Sequence, residues 1–596
     1  MNFNRREFIH FMGMGVIGLM LSENAAADDW RLSAEHIVTR WAKSVRSDRV
    51  WPEYPRPQMV RKNWINLNGL WDYALTPRDL ELPTPFDGKI LVPFPAESAL
   101  SGLARSVMPD MRLWYHRTFP LPDLSGGKRL LLHFGAVDWE TTVYINEKKV
   151  GQHRGGYTPF SLDVTDALSG RGEQRLDVGV WDPTDTVYQP CGKQTLHPQG
   201  IMYTATTGIW QTVWLEVVPA EAISDLRMTP DLDNERLHLL VSGQHAGSDL
   251  RVVASARDDG KVVSSAGGMV GQEFALPMPD AKRWSPDSPF LYDLKVQLKR
   301  GDIIIDEVKS YFGMRKIEVR KAMDGIMRLF LNDEATFMLG PLDQGFWPDG
   351  IYAPPSEAAM IYDIQVIKRA GFNMCRKHQK VEPDRWYHAC DRLGLMVWQD
   401  MPASFAEPVT PEHAADFKAE LMEMLRTRRN YPCIVAWVAF NEGWGQFDTN
   451  AILRSIKERD PSRLVDGPSG WTDHGYGDMK DKHDYPGPAM WPVMPDRASV
   501  LGEFGGLGLA IPKHTWAPNH WGYQAIVDRD ALSRRYREML VEVAKLEEAG
   551  LAAAVYTQLT DVETECNGLM TYDRRIQKIP TETLLEMNEM VCRKQR

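Results

Sequence analysis

The spacing of apolar and polar residues changes once along the chain and separates two regions. Between about residues 52 and 219, short alternating or apolar runs are broken by Gly, Pro, Asn and Asp, as at residues 130–134 (LLLHF) and 142–146 (TVYIN). This spacing is typical of an antiparallel β-sandwich. A second stretch of the same kind, from about 222 to 319, has the length of an immunoglobulin-like sandwich. The N-terminal half is therefore predicted to be all-β.

From residue 328 the pattern changes to apolar strand-like runs that alternate with helical stretches, which predicts a parallel sheet. Eight runs have the character of strands, at residues 337–340, 373–376, 395–398, 434–440, 463–466, 482–485, 500–503 and 552–557. Helices are predicted at residues 356–370, 384–393, 411–429, 449–459 and 529–548. Because eight parallel strands close a barrel, we expect a (β/α)8 TIM barrel here.

Length and charge limit the class of protein. The chain has 596 residues, more than one hydrophobic core can hold, so several domains are expected. Its 43% hydrophobic and 25% charged residues are ordinary for a globular protein. The net charge of −11 offers no basic surface to a polyanion, so we expect no nucleic-acid partner.

The first 27 residues have the features of an export signal. Arg5 and Arg6 precede an apolar stretch at 11–21, and three alanines follow at 25–27. The twin arginine indicates the export route for folded proteins, which places the mature chain in the periplasm or outside the cell. The apolar stretch is shorter than the roughly 20 residues that span a bilayer, so no stable membrane span is expected.

Two glutamates follow apolar strands on opposite sides of the predicted barrel. Residues 434–440 (IVAWVAF) lead into Asn441 and Glu442, and residues 499–502 lead into Glu503. Barrel enzymes hold their catalytic groups at the carboxyl ends of the strands, and strands four and seven face each other across the mouth. Glycoside hydrolysis requires two carboxyl groups, and a separation of about 5–5.5 Å makes one of them a nucleophile. The pattern predicts a retaining glycosidase, with Glu442, kept protonated by burial and by its charged neighbour, as acid/base and Glu503 as nucleophile.

Polar residues also follow the other predicted strands. Asn441 is placed to bind a sugar 2-hydroxyl, and Arg376 and Tyr485 are placed to keep Glu503 ionised and oriented. The remaining strand-end residues are Asp343, Gln344, His378, Asp400, Asp466, Asp484 and Gln558. Polar residues are common wherever strands emerge into solvent, so only the convergence of these side chains at one rim indicates a site.

These features together resemble family 2 of the glycoside hydrolases, which includes β-galactosidases, β-glucuronidases and β-mannosidases. The Asn-Glu pair after strand four and the Gly-Glu-Phe-Gly sequence at strand seven match the pattern of that family. Further motifs occur at residues 66–71 (NLNGLW), 207–210 (TGIW), 284–289 (WSPDSP) and 312–315 (FGMR).

The resemblance implies a multidomain fold of class β plus α/β. After the signal peptide at 1–27, it implies a jelly-roll sugar-binding β-sandwich at 28–219, with an N-terminal extension. An immunoglobulin-like β-sandwich follows at 220–319, and a catalytic (β/α)8 TIM barrel occupies 320–596.

The resemblance also implies roles for individual residues. Glu442, Glu503, Arg376 and Tyr485 receive the roles already stated. His378 and Asp400 are implied either to contact the substrate or to support the residues that do. In relatives a carboxylate on a jelly-roll loop reaches the substrate. Asp182, before Pro183, is the candidate for that contact, and a turn-forming aspartate is the alternative.

Two glutamines mark departures from the family. Gln344 stands where β-galactosidases place a histidine, so the galactose contacts are not all reproduced. Gln558 stands where a sugar-stacking tryptophan is common. Stacking is then expected from another tryptophan, and Trp444, two residues after the acid/base, is favoured over Trp347, Trp471 and Trp491.

A third departure concerns acidic sugars. β-Glucuronidases carry an Asn-x-Lys before a glycine, where this chain has Glu565, Cys566 and Asn567 before Gly568. Because the lysine is missing and Glu565 adds negative charge, a uronic acid substrate is disfavoured by that route.

The sequence therefore predicts an exo-acting retaining β-glycosidase that releases a terminal sugar, with galactose as the first choice, from an oligosaccharide or glycoside. An arabinoside, mannoside or galacturonide is the alternative within the family. A non-catalytic carbohydrate-binding protein on the same scaffold, or sandwiches that bind a cell-wall partner, are the alternatives outside it.

No organic cofactor is expected. Asp343 and Asp400 are candidate ligands for Mg²⁺ or Na⁺, although no ligand motif is visible and the six cysteines show no metal-binding spacing. The sequence leaves assembly open between a monomer and a homo-oligomer.

Overall fold

The computed structural model describes residues 30–247, 249–405 and 409–592. The export signal predicted at 1–27 lies outside these residues, and the periplasmic or secreted location that depends on it stays a prediction. Within the described ranges, no helix is both long enough and apolar enough to cross a membrane.

The first domain is a jelly-roll sandwich of two antiparallel sheets. One sheet has six strands, in the order Gly88–Val92, Gly69–Pro77, Met111–Pro120, Glu173–Trp181, Glu140–Ile145 and Lys148–Arg154. The other has four, in the order Trp64–Asn66, Val213–Val218, Arg129–Phe134 and Phe160–Asp163. Alternate residues, such as Leu113 and Tyr115 or Leu130 and Leu132, are buried between the sheets. The predicted β-sandwich is confirmed.

Two short strand pairs extend from this sandwich. Val137–Asp138 pairs with Gly208–Ile209, and Gln194–Thr195 pairs with Tyr203–Thr204. The second pair belongs to a long segment that meets the third domain, as described below.

The second domain is a smaller sandwich with its own core. One sheet contains Ala222–Asp231, Arg236–Gln244 and Glu273–Pro277, and the other contains Lys261–Met269, Arg251–Asp258, Tyr292–Arg300 and Ile303–Phe312. Leu294, Val296 and Leu298 alternate into the core, as the period of two in a strand requires. A hairpin of Ile317–Lys321 and Met327–Leu331, with the short strand Glu334–Ala335, leads onward.

The third domain is a parallel barrel of eight strands, closed except at one seam. In chain order the strands are β1 (Met338–Asp343), β2 (Met374–Lys377), β3 (Met396–Asp400), β4 (Ile434–Val438), β5 (Leu464–Asp466), β6 (Met479–Asp484), β7 (Ala498–Gly505) and β8 (Leu551–Thr557). Their hydrogen-bonded order is β5-β4-β3-β2-β1-β8-β7-β6. At the seam, the N–H of Asp478 donates to the carbonyl of Val465 at 2.8 Å. The predicted barrel is confirmed, and β6 begins earlier than its weak apolar pattern indicated.

Six helices lie around the barrel and its ends. They are α1 (Glu357–Arg369), α2 (Asp384–Leu393), α3 (Pro411–Arg428), α4 (Thr449–Arg459), α5 (Arg529–Glu548) and α6 (Thr581–Cys592). Ser356, Thr410 and Asp528 accept backbone N–H groups as N-caps of α1, α3 and α5. The five predicted helices are present. Residues 467–478, between β5 and β6, form a loop without a helix.

Arg315 joins the second sandwich to the barrel. Its buried guanidinium donates to the backbone carbonyls of Pro432 at 3.1 Å, Ile434 at 2.8 Å and Ser462 at 2.9 Å. Ile434 is the first residue of β4, so one charged side chain fixes the start of the strand that leads to Glu442. Hydrogen bonds from a charged donor are stronger than those between neutral groups.

We predict that Arg315→Ala destabilises the folded chain by about 3 kcal/mol, because the carbonyls of Pro432 and Ser462 lose this donor and that of Ile434 keeps only Arg463. The measurement is the midpoint of thermal unfolding, with Arg251→Ala as control, since Arg251 is an exposed arginine of the same sandwich. An equal midpoint in the two variants would show that Arg315 does not hold the domains together.

Candidate active site

The carboxyl ends of the barrel strands bring the two predicted catalytic glutamates together. Glu503 lies near the end of β7, and Glu442 lies shortly after the end of β4. One oxygen of each carboxylate lies within 4.8 Å of the other. This separation suits direct attack by a carboxylate on an anomeric carbon, since inverting enzymes leave about 6.5–9.5 Å for an intervening water.

Glu503 is held ionised by its neighbours. Arg376 donates to Oε1 at 3.3 Å, and Tyr485 donates its hydroxyl proton to Oε2 in a short hydrogen bond. His483 Nδ1 lies 3.6 Å from Oε1. Burial opposes the charge, but His483 and Arg376 outweigh it and lower the pKa of Glu503 to about 2. Glu503 is therefore an anion across the neutral pH range.

Arg376 connects the ends of four strands. Its fully buried guanidinium makes a two-pronged ion pair with Asp400, at 3.0 and 2.9 Å, and donates to Asn441 Oδ1 at 2.8 Å. Burial disfavours the charge, but Asp400 and Glu503 outweigh it and raise the pKa of Arg376 above its ordinary value. The guanidinium thus stays charged and fixes the positions of both Asn441 and Glu503.

Asp400 and His378 support this arginine from behind. The oxygens of Asp400 accept from Arg376 and from the N–H of Gln379, and Oδ2 lies 2.9 Å from His378 Nδ1. Asp400 is therefore a support for Arg376 rather than a substrate contact. Burial lowers the pKa of His378, so its ring is neutral. Among the described residues Nε2 of His378 has no partner, which leaves this nitrogen available to a sugar hydroxyl.

Glu442 occupies an unusual backbone conformation. Its φ of 57° lies in the left-handed region, which a non-glycine residue enters at a cost and often at a functional site. The N–H of Glu442 donates to the carbonyl of Ser469 at 2.6 Å, which fixes this turn against the loop after β5. Oε2 accepts from the indole N–H of Trp444 at 2.9 Å, and Oε1 lies 2.8 Å from His483 Nδ1.

The predicted tryptophans divide between the mouth and the interior. Trp444 is 42% exposed beside Glu442, and Trp471 is 55% exposed with its ring edge-on to His483 at 6.1 Å. Both offer an indole face to a sugar at the mouth. Trp347 is buried under Arg574, and Trp491 donates to the carbonyl of Asp481, so these two are structural.

His483 contacts both glutamates and was not among the predicted site residues. Its Nε2 lies 2.8 Å from the hydroxyl of Ser469, which in turn donates to Asp481. Burial opposes protonation, but Glu503 and the hydrogen bond to Glu442 outweigh it and raise the pKa of His483. A signal existed in the sequence: Met479, Asp481 and His483 alternate on β6 and all face inward.

A second polar cluster closes the mouth beside β1 and β8, and the jelly roll contributes to it. Gln344 donates to the hydroxyl of Tyr203 at 2.8 Å, and Tyr203 donates to Glu565 at 2.5 Å. Asn567 donates to Glu565 at 2.9 Å and accepts from Gln558 at 2.7 Å. Burial raises the pKa of Glu565 to about 7. Gln344 and Gln558 thus lie at the mouth, within a network that orients Glu565.

Asp182 lies within the jelly roll and does not contact the two glutamates. Its carboxylate accepts from the N–H and hydroxyl of Thr184, from Gln189 and from Thr207, all within the jelly roll, and it is buried there. These contacts use both oxygens to hold a turn before Pro183. The structure therefore supports the alternative reading of Asp182 as a turn residue and gives no contact between it and the glutamates.

Asp343 does not serve as a free ligand for substrate or metal. Lys377 Nζ lies 2.6 Å from its Oδ2, the N–H of Gly345 donates to its Oδ1, and Lys377 lowers the pKa of Asp343 against the effect of burial. Its predicted roles as a substrate contact and as a ligand of Mg²⁺ or Na⁺ are not supported by this placement.

One group in the described part of the chain brings three potential ligand atoms within 4.8 Å of one another, and it consists of Glu442, His483 and Glu503. A cation there would compete with Arg376 and Tyr485 for the oxygens of Glu503. The arrangement therefore suits proton transfer and nucleophilic attack better than a metal site.

Three family models match the chain. The model of the sugar binding domain of glycosyl hydrolases family 2 matches residues 65–219. The model described as glycosyl hydrolases family 2, without a domain name, matches residues 221–315. The model of the TIM barrel domain of the same family matches residues 355–477. The matches fall in the two sandwiches and the barrel described above.

Relatives with similar sequences carry the names of two kinds of β-glycosidase. A putative beta-glucuronidase of Formosa agariphila is 27% identical over 55% of this chain and 39% of its own length. A beta-galactosidase of Thermoanaerobacter pseudethanolicus is 26% identical over 59% of this chain and 48% of its own length. The chain thus spans less than half the length of these two curated relatives.

Solved structures share the fold over most of the chain. The beta-glucuronidase of Ruminococcus gnavus in complex with D-glucuronic acid matches 91% of this chain and 99% of its own, with a TM-score of 0.71 and 19% identity. A GH2 beta-galacturonidase from Eisenbergiella tayi matches 90% of this chain and 98% of its own, with a TM-score of 0.68 and 19% identity. At this identity the likeness concerns the fold alone.

We predict that His483→Gln moves the acid limb of the pH profile of kcat/KM upward by about one unit. Removing a positive charge beside Glu503 raises the pKa of that carboxyl, so the ionised form is lost at a higher pH. The pH dependence of glycoside turnover measures this shift, and His245→Gln, an exposed histidine of the second sandwich, is the control. An unmoved acid limb would show that His483 does not act on the charge of Glu503.

Proposed function

The chain belongs to glycosyl hydrolase family 2, and we propose that it is an exo-acting retaining β-glycosidase with Glu503 as nucleophile and Glu442 as acid/base. The observation that carries the proposal is the pair of carboxylates within 4.8 Å, of which one is held ionised by Arg376, His483 and Tyr485. A short separation and one fixed negative charge are what a double displacement requires.

In the first step a carboxylate oxygen of Glu503 attacks the anomeric carbon of the terminal sugar. The bond from that carbon to the leaving oxygen breaks, and protonated Glu442 gives its proton to the leaving group. The product is an ester between Glu503 and the sugar, with the anomeric configuration inverted.

In the second step Glu442, now a carboxylate, takes a proton from water as the water oxygen attacks the same carbon. The ester bond to Glu503 breaks and the carboxylate returns, so two inversions give net retention. His483 Nδ1, at 2.8 Å from Glu442 Oε1, is placed to share the proton that Glu442 gives and takes.

Asn441 is placed to hold the sugar during both steps. Its Oδ1 accepts from Arg376 at 2.8 Å, so its amide orientation is fixed and its NH₂ group is left to donate. A hydrogen bond from this group to the 2-hydroxyl can strengthen as charge develops on the ring. Arg376 thus orients the nucleophile and the 2-hydroxyl donor together.

The mouth is open on one side and closed on the other, which favours release of a terminal sugar. Trp444 and Trp471 are exposed next to Glu442, where the leaving group departs. Beside β1 and β8, the contacts of Tyr203 with Gln344 and Glu565 close the pocket. A sugar bound between the glutamates would end against this wall.

Galactose is the terminal sugar that the sequence favours. The relatives and structures above are named for galactosides, glucuronides and a galacturonide, which differ at C4 and in the oxidation of C6. We propose that Tyr203, Gln344 and Glu565, at the closed end of the pocket, contact the edge of the sugar that carries these two positions.

We predict that the mature chain hydrolyses a nitrophenyl β-glycoside and releases the β anomer first, as detected by proton NMR during turnover. Glu503→Ala lowers kcat by about 10⁴-fold or more, because the double displacement loses its nucleophile. Glu442→Ala retains more activity on nitrophenyl leaving groups than on alkyl ones, because nitrophenolate departs without a proton.

Glu582→Gln, an exposed acidic residue on α6, is the control and keeps the parental rate. Release of the α anomer first, or full activity of Glu503→Ala, would contradict the proposal. Sugar binding without turnover of any glycoside would favour the non-catalytic carbohydrate-binding alternative.

A further inference from the structure

A segment of the jelly roll reaches into the mouth of the barrel and places Lys193 there. The N–H groups of Cys191 and Gly192 both donate to the carbonyl of Ala403, at 3.0 Å each, in the loop after β3. Gly192 has a φ of 60°, and a Cβ on it would lie 2.4 Å from the carbonyl oxygen of Gln379. Only a glycine permits this close approach, which fixes the residue that follows it.

Lys193 is buried without a counter-charge. Only 6% of the surface of Lys193 is exposed to solvent. Within the described ranges, its ammonium makes neither a hydrogen bond nor an ion pair. The other three lysines buried to this degree each contact a carboxylate: Lys377 with Asp343, Lys380 with Glu382 and Lys578 with Asp561. A buried charge without a partner is costly, so an unpaired lysine in a substrate pocket indicates a missing anion.

Lys193 lies between the acid/base side of the mouth and its closed end. Its ammonium lies 5.9 Å from the ring centre of Phe405, whose ring is 5.7 Å from that of Trp444 beside the acid/base. The backbone carbonyl of Lys193 accepts from the N–H of Tyr203, which belongs to the closed end of the pocket. Burial lowers the pKa of His378, and the charge of Lys193 adds to that effect. Burial raises the pKa of Glu565, and the charge of Lys193 opposes that rise.

We propose that Lys193 binds an anionic substituent of the terminal sugar, such as the carboxylate of a uronic acid or a sulfate ester. The inference rests on the proposed glycosidase function and specifies its substrate class. An ammonium forms a strong charge-assisted hydrogen bond with either anion. The carboxylate or sulfate supplies the counter-charge that Lys193 lacks in the free enzyme.

This assignment revises the expectation drawn from the segment after β8. That segment has Asn567 where β-glucuronidases carry the lysine, and Glu565 two residues before it, but the cation is supplied from the jelly roll instead. Tyr203 and Asn567 both donate to Glu565, so its oxygens face hydrogen-bond donors of the protein. Each oxygen of Glu565 thereby has a donor within the wall, while the ammonium of Lys193 has no anionic partner among the described residues.

The test compares nitrophenyl β-glycosides in matched pairs: galactoside with galacturonide, glucoside with glucuronide, and galactoside with galactoside 6-sulfate. We expect kcat/KM for one acidic sugar to exceed that for its neutral partner by at least about 100-fold. Comparison of the uronides with the 6-sulfate shows whether Lys193 binds a carboxylate or a sulfate ester. A parental preference for the neutral member of every pair would overturn the proposal.

The substitution Lys193→Met should remove most of this preference, with a loss of about 100-fold on the acidic sugar and less than about fivefold on the neutral one. Lys193→Arg should retain part of the activity on the acidic sugar, because it keeps the charge. Lys149→Met, an exposed lysine of the same domain, is the control. If Lys193→Met does not fold, Lys193→Gln is measured in its place.

The outcomes separate this inference from the proposed function. Turnover that is lost in Glu503→Ala but favours the neutral member of every pair upholds the glycosidase and overturns the role of Lys193. An equal loss on acidic and neutral sugars in Lys193→Met also overturns it, since that result indicates a structural role. Silence with every glycoside, acidic and neutral, overturns both.

Discussion

The buried guanidinium of Arg376 is the interaction on which the site depends. It binds Asp400 on β3, Asn441 after β4 and Glu503 on β7, so one charge fixes three strand ends at once. Such a charge is stable inside the protein only because two carboxylates share it. The same contacts keep Glu503, the proposed nucleophile, ionised and orient Asn441, the proposed donor to the 2-hydroxyl. Loss of this one side chain would leave the buried carboxylate of Asp400 without its ion pair with Arg376, and Glu503 with His483 and Tyr485 alone.

Much of this arrangement followed from the sequence, for physical reasons. The barrel strands are apolar runs of fixed length, so the residues after them had to meet at one rim, and Glu442 and Glu503 had to face each other. Arg376 and Tyr485 lie at strand ends as well. The turn at Asp182 illustrates the limit: an aspartate before proline forms the same local contacts whether or not a ligand is near. Asp343 illustrates a second limit of prediction from sequence, because its ion pair with Lys377 depends on the neighbouring strand β2.

The residues that sequence reasoning missed come from long-range packing. His483 faces inward through the alternation of β6, but its contact with both glutamates depends on how β6 closes against β7. Tyr203 and Lys193 come from the jelly roll, and no periodicity in that domain shows that its loop enters the barrel. The pocket is therefore built by two domains. This shared wall makes the sandwich part of the proposed active site, which weighs against its acting as a separate binding module.

The central claim is that Glu503 forms a covalent bond with the sugar, and trapping that bond tests it most directly. A 2-deoxy-2-fluoro glycoside of the sugar that the chain turns over, with a good leaving group, should slow the second step more than the first and let the ester accumulate. Mass spectrometry of the digested protein should then find the fluorosugar on the peptide that contains Glu503. A label on Glu442, or steady turnover with no labelled peptide, would contradict the account.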